Sequence, residues 1–396
     1  MNVKKELKQF KELAYFKDIM KINWIFFLFF MLSDSLDVFF PLYIKEHQVP
    51  AVYYGLLETG VDIIRMGLIW LMAKPTMKSK KRILVLIMAT NIVNFCLVSM
   101  DNVPFVFYIF VAFAASRTIL NMTLNPYLAR LLPNEFMGIG FGIRDVFLSL
   151  GCACGLVISG FLSNSILVFS IYLAVVAGLL LIIILRTKMR EIKEIEEDEE
   201  NEEEENLANF KNMPTRLKVN FVLLVFIGMF ILFGLTVLDY QTMIGDDIGI
   251  EVQSIYNLYS SSVIITAIFS IIGGVIIDRF ESKKLYLAYT ATCFVSCFIL
   301  IFQNIYVYAI SLFLLGLKGV LDNVEQTYFF KVYKNYDMEK LYSVNTILQM
   351  VLSFIAPILF GWLYDWNYEY MIIIGSGFLV IAMVLCLGIL EEEKAE

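Results

Sequence analysis

The sequence predicts an all-α integral membrane protein: twelve transmembrane helices in two pseudo-symmetric six-helix bundles, with both termini cytoplasmic. Three observations predict it. The 396-residue chain is 59% hydrophobic and only 17% charged, where soluble domains are about 45–50% apolar and about 25% charged. Its apolar residues form runs of about 18 or more, long enough to cross a bilayer, as in 165–185 and 371–390. Its charges cluster between those runs.

The elements follow in chain order. Residues 1–21 are a charged amphipathic segment. The apolar stretch from Ile22 is long and no small-residue cleavage site follows it, so it reads as a retained helix and not as a cleaved signal. Caps, charges and Pro/Gly breaks place the first bundle at 22–185, with spans at 22–44, 51–73, 83–100, 104–131, 140–163 and 165–185. A hydrophilic linker, 186–218, follows; its core EIKEIEEDEENEEEE holds 11 acids in 15 residues and cannot bury enough surface to fold. The second bundle, 219–390, has spans at 219–240, 254–277, 285–303, 305–331, 343–364 and 370–390, and 391–396 is a cytoplasmic tail. The acids of TMIGDDIGIEVQ mark 242–253 as a loop.

Basic residues orient these spans. Of 31 Lys and Arg, Lys45 alone falls in an outside loop, and Arg65, Arg117 and Lys318 lie within spans. The other 27 fall in the tails, in loops on one side, or at the adjoining helix ends. That bias sets those loops and both termini in the cytoplasm and requires an even number of spans.

Several chemistries lack their residues. There is one histidine, His47, no CxxC and no Gly-x-Ser-x-Gly, so neither a metal-ligand spacing nor a nucleophile motif appears. The six cysteines all sit in apolar runs and read as small apolar filler, with disulfides or a metal site as the alternatives. No enzyme activity and no cofactor is expected. The lysines follow membrane topology and form no separate basic domain, which argues against nucleic-acid binding.

The two halves carry a repeat. A shift of 201 positions aligns 117–162 with 318–363 without a gap. Arg117 meets Lys318, Asn121 meets Asp322, Tyr127 meets Tyr328 and Gly160 meets Gly361; GLVISGFL faces APILFGWL, which includes Pro357. KSKKRIL (78–84) likewise matches ESKKLYL (281–287).

On these residues the chain resembles the major facilitator superfamily. GGVIIDRFESKK (273–284) is similar to the family signature G-x-x-x-D-R-x-G-R/K-R/K at Gly274, Asp278, Arg279, Lys283 and Lys284, with Glu281 in place of the second Gly. The first-half copy has Pro75 or Thr76 where the Asp belongs. Arg117 resembles the Arg of R-x-x-Q-G, with Leu120 and Asn121 replacing Gln and Gly. GCACGLVISG (151–160) resembles the antiporter motif G-x-x-x-G-P-x-x-G-G at Gly151, Gly155 and Gly160, with Leu156 for Pro and Ser159 for Gly. Glycines so spaced let membrane helices approach closely, in this motif or in any bundle. The resemblance implies twelve helices, alternating access, a cavity lined by helices one, four, seven and ten, and a conformational latch at Gly274, Asp278, Arg279, Lys283 and Lys284.

Ionisable groups inside a membrane are costly and functional by default. The first span holds Asp34 and Asp37, the second Glu58, Asp62 and Arg65, the fourth Arg117, and the tenth Lys318, Asp322 and Glu325. Asp34, Asp37 and Pro41 share one helical stripe, as do Glu58, Asp62 and Arg65, and Lys318, Asp322 and Glu325. Asp62 and Arg65 read as a local pair. Surplus carboxylate can hold a proton or a cationic substrate in competition. Asp34, Asp37, Arg117, Asp322 and Glu325 are therefore the expected proton-coupling residues. Asp34, Asp37, Arg117, Lys318, Asp322 and Tyr328 are the expected substrate contacts, with Tyr256 and Tyr259 as further candidates; mutual neutralisation of the charges is the structural alternative.

The resulting expectation is a monomeric, proton-coupled secondary transporter in the plasma membrane that exports a small amphipathic or cationic compound. Nutrient uptake, movement of a lipid-type amphiphile, and a non-transporting receptor of the same fold are the alternatives.

Overall fold

The structure is a computed structural model. It describes residues 15–72, 77–131, 137–162, 165–187, 213–279, 282–321, 324–333, 336 and 338–390. Most of the N-terminal segment, Pro75, Thr76, Asp322, the acidic core of the linker and the tail 391–396 lie outside the described residues.

The architecture is all-helical. The first half comprises α1 (Phe16–Glu46), α2 (Ala51–Met72), α3 (Met77–Val98), α4 (Val103–Leu131), α5 (Met137–Leu162) and α6 (Ile166–Arg186). The second begins with α7 (Thr215–Asp239), the short α8 (Gln241–Asp247), α9 (Val252–Arg279) and α10 (Ser282–Phe298), the last ending in a 3₁₀ turn, Ile299–Phe302. It continues with α11 (Ile305–Leu321), α12 (Val324–Val332), α13 (Met338–Ser353) and α14 (Ala356–Gly388). Among the described residues, eight helical stretches are long and apolar enough to cross a membrane, and Ile305–Leu321 is a shorter apolar helix.

α6 shows how one helix meets both lipid and protein. Leu167, Ile171, Val175, Leu179 and Ile182 are exposed at spacings of three and four. Phe169, Leu173, Val176, Leu180 and Ile184 form the opposite, buried stripe, which packs on α3. A water-soluble protein would not leave the first stripe bare; in a bilayer it faces acyl chains.

Two expected boundaries differ. First, the 242–253 loop begins as helix: α8 runs to Asp247, with Met243 and Ile244 buried. It stops at Gly249, where φ is +80°. There the Gly249 N–H bonds Asp246 O (2.9 Å) and the Ile250 N–H bonds Gly245 O (3.0 Å), a glycine-terminated helix end. The acids that suggested a loop instead hold Lys45, at 2.7 Å from Asp246 and 2.6 Å from Asp247. Second, the expected span 343–364 is interrupted at Phe354–Ile355. Within the expected span 305–331, Ile305–Leu321 and Val324–Val332 are helical, and 322–323 lie outside the described residues.

The apolar stretch Val344–Gly388 is 45 residues long, about 67 Å of helix at 1.5 Å per residue, over twice the thickness of a hydrocarbon core. It turns at Asn367, whose backbone is extended. The Glu369 N–H donates to Asn367 Oδ1 at 2.7 Å, so Asn367 caps the helix that follows.

The chain divides into two compact units. Unit 1 comprises Met1–Tyr43, Ile63–Glu191 and Val252–Ala267; unit 2 comprises Ile44–Asp62, Ile192–Glu251 and Ile268–Glu396. Each thus takes one segment from the other half of the sequence. In unit 1, α3 packs on α4 and α6; in unit 2, α10 packs on α11 and α14, and α7 on α13 and α14.

Candidate functional site

In unit 1 the charges converge through helix packing. A Cβ added at Gly151 would lie 2.1 Å from Phe27 O, and one at Gly155 would lie 2.1 Å from Met31 O. Only glycine permits this approach of α5 to the α1 backbone. It sets Cys152, between the two glycines, beside Asp34. Cys152 and Cys154 are free thiols.

One turn along α1, Asp37 Oδ2 lies 3.2 Å from Arg117 Nη1 of α4. The Arg117 guanidinium sits over the Phe30 ring at 5.1 Å, a cation–π contact that fixes its direction. Arg117 also acts on the Asp34 charge, and Arg65 of α2 on that of Asp37. Two acids of one helix thus lie in the field of bases on two others, with Asp37–Arg117 as the direct pair. The pair stays partly open, at 33% and 47% side-chain accessibility for Arg117 and Asp37. The expected local partner of Arg65, Asp62, does not exhaust its reach: its charge also extends to Asp37 of α1.

In unit 2, Lys318 of α11 lies over the Tyr289 ring at 5.8 Å. Glu325 of α12 accepts hydrogen bonds from Gln349 Nε2 (2.8 Å) and Asn345 Nδ2 (3.5 Å) of α13. Gln349 fits because Gly228 of α7 has no side chain: a Cβ there would meet the carboxamide at 2.0 Å. Among the described residues no basic group pairs with Glu325; two neutral amides hold it, and the Tyr286 side chain lies beside it. A partly buried carboxylate without a cation is costly, which makes Glu325 a candidate proton holder. The Tyr328 hydroxyl donates to Leu390 O (2.8 Å) and Asn220 Oδ1 (3.4 Å), joining α12 to α7 and the end of α14.

Gly274, Asp278 and Arg279 lie in the last turns of α9; their side chains are outside the described residues. Lys283 is described. Its ammonium donates to Leu387 O (3.1 Å) and Ile389 O (2.7 Å). Lys81 does the same for Leu185 O (3.3 Å) and Thr187 O (2.6 Å). Each lysine caps the unpaired carbonyls at the end of its half's last helix and meets the negative end of that helix's dipole. Lys284 is exposed at the start of α10.

The repeat reappears in contacts. Thr59 Oγ1 of α2 donates to Phe354 O (3.0 Å) in unit 2. Ser260 Oγ of α9 donates to Ala153 O (3.1 Å) in unit 1. Donors and acceptors are both related by the 201-residue shift. So are the glycine contacts: a Cβ at Gly361 would meet Ala51 O at 2.7 Å and Val52 Cα at 2.8 Å, and one at Gly160 would meet Tyr256 Cβ at 2.9 Å and Gln253 O at 3.6 Å. Pro357 O accepts from the Tyr240 hydroxyl at 2.8 Å. No polar side chain in a single half predicts these bonds; only comparison of the two halves reveals them.

A sequence profile of the Major Facilitator Superfamily matches residues 77–241 and 223–396. The chain belongs to that superfamily. Solved transporters share the fold of this facilitator at low identity. The nucleoside transporter NupG aligns with a TM-score of 0.70 at 14% identity, covering 94% of this chain and 98% of its own. A bacterial homologue of the human lysosomal transporter Spinster gives 0.72 at 12%, covering 96% and 97%. A D-xylose-proton symporter gives 0.69 at 11%, covering 97% and 100%. No curated protein matches by sequence. The facilitator is thus a multi-pass membrane transporter by family and fold.

Proposed function

We propose that this facilitator is a proton-coupled exporter of a small amphipathic or cationic compound, working by alternating access in the plasma membrane as a monomer. Twelve spans, cytoplasmic termini and six-helix bundles at 22–185 and 219–390 belong to this reading. The observation that carries it is the α1–α4–α5 centre: Asp37 paired with Arg117 at 3.2 Å, and Asp34 beside Cys152. Protonating either carboxylate frees Arg117 from one of its partners and changes which helix arrangement is favoured. Glu325 and Asp322 are the counterparts in the second half, and Lys318 supplies its base. Asp278 and Arg279 form the latch, with Gly274, Lys283 and Lys284.

Alternation requires helix ends to separate. The Thr59–Phe354 and Ser260–Ala153 bonds are clasps that must open in that step. Export rests on the glycine motif of α5. A proton symporter for uptake is the second reading, supported by the likeness to a D-xylose-proton symporter.

The test uses proteoliposomes with trapped pyranine, challenged with a panel of amphipathic amines and carboxylates. At least one compound should drive proton movement in the wild type, and Asp37→Asn should abolish it. Proton movement unchanged in both Asp34→Asn and Asp37→Asn would end the coupling assignment.

A further inference from the structure

The same three helices hold a second charged station. Its base is Arg144 of α5, which topology alone explains as a cytoplasmic helix-end cation. The structure places it between helices. Its guanidinium carbon lies 4.8 Å from the Phe141 ring and 5.8 Å from the Phe26 ring of α1. Nη1 donates to Asn125 Oδ1 of α4 at 3.0 Å. Nε and Nη2 both donate to Asp145 Oδ1, at 2.9 and 2.5 Å.

Those three bonds leave two of the five guanidinium N–H groups, one on each terminal nitrogen, without a partner among the described residues. The side chain is 21% accessible, so it is oriented without being sealed. One turn before Phe26, Asn23 is completely buried, and neither atom of its carboxamide has a hydrogen-bond partner. Residues three apart on a helix share a face. The surroundings therefore hold a fixed cation with spare donors, two aromatic rings and an unsatisfied amide.

The position is also informative. Asp37 and Phe26 are 11 positions apart on α1, roughly 16 Å along the axis. Arg117 and Asn125 are 8 apart on α4, and Arg144 and Cys152 are 8 apart on α5, each roughly 12 Å. All three helices set Arg144 on the N-terminal side of α1, one hydrocarbon leaflet from the coupling centre.

We propose that Arg144 determines substrate specificity by docking a carboxylate or phosphate group of an amphipathic substrate. The two spare N–H groups meet two oxygens of the anion, the pairing for which a planar guanidinium is suited. Phe26 and Phe141 lie against the apolar part. Asp145 and Asn125 hold the guanidinium in place and are positioning residues. The proposal rests on the transporter reading and narrows it, setting the acid-bearing amphiphile above the simple organic cation.

The experiment measures ligand-induced thermal shifts of the purified full-length protein in detergent, which do not depend on transport. The probes are 4-phenylbutyrate, phenyl phosphate, 4-phenylbutanamide and 4-phenylbutylamine. One or both acids should raise the midpoint, and the amide and amine should not; which acid acts separates carboxylate from phosphate recognition. Arg144→Gln should weaken the acid response roughly tenfold to a hundredfold in apparent affinity, the scale of one lost hydrogen bond to a charged group. Arg144→Lys should restore part of it, which a purely structural role would not produce. If Arg144→Gln shows no cooperative melting, Asn125→Ala serves instead and should weaken the acid response while leaving the protein folded. No response to either acid, equal responses to acid and amide, or acid responses unchanged in the variant that melts would each overturn the proposal. Coupling without an acid response would refute this docking role alone, whereas an acid response without proton movement would refute only the transport reading.

Discussion

At the scale of single residues, the site depends on absent atoms as much as present ones. Gly151 and Gly155 make the α1–α5 approach possible, and that approach puts Cys152 at Asp34. Gly155→Ala should therefore cost about 1–3 kcal/mol, the usual range for overpacking, and should lower activity by moving Cys152 off Asp34. Gly178→Ala on α6, where an added Cβ meets nothing within 4 Å, is the control and should be silent. Chemical unfolding in detergent compares the two, and equal effects would refute the close-approach argument. The Asp37–Arg117 pair gives a second residue-scale expectation. Asp37→Asn strands a guanidinium, so it should destabilise more than the double change with Arg117→Gln. Recovery should be partial because Asp34 also answers Arg117; a double variant worse than Asp37→Asn would contradict the pairing. The acids and bases were legible in the sequence as isolated charges in apolar runs. Their partners were not, because Asp37 and Arg117 are 80 positions apart.

At the scale of elements, the 201-residue repeat becomes physical. It begins as a weak alignment of α4 and α5 with α11 to α14. In the structure it relates whole contacts, α2 with Phe354 and α9 with Ala153. Each clasp is one neutral hydrogen bond, worth about 1 kcal/mol. Thr59→Val and Ser260→Ala should each lower the unfolding midpoint by a similar amount. Their effects should add in the double variant, because the sites lie in separate units and share no partner. Strong non-additivity would show that the clasps are not independent. Lys81 and Lys283 sharpen a different inference. The sequence expectation sets their charges on the cytoplasmic face, and each has a local task besides, capping a helix end. Hydropathy locates such lysines at a membrane face but says nothing about which carbonyls they meet.

At the scale of the whole molecule, each unit is completed by a segment from the other half of the sequence: Val252–Ala267 in unit 1 and Ile44–Asp62 in unit 2. Neither 1–191 nor 192–396 expressed alone should then accumulate as stable protein, while co-expression should restore both. Normal levels of either half alone would refute that interdependence. Residue order was enough to establish an all-helical integral membrane protein built on a repeat. Apolar run length is a local property, and lipid imposes it on every span separately. The same order marked the costly ionisable residues, because any charge in such a run stands out. Helix packing settled which of them meet: Asp37 with Arg117, Asp34 with Cys152, Glu325 with two amides, and Arg144 with Asn125 and two aromatic rings. Those meetings depend on the rotation and approach of helices far apart in the chain. Small residues and facing backbones set both, and no one-dimensional pattern records them.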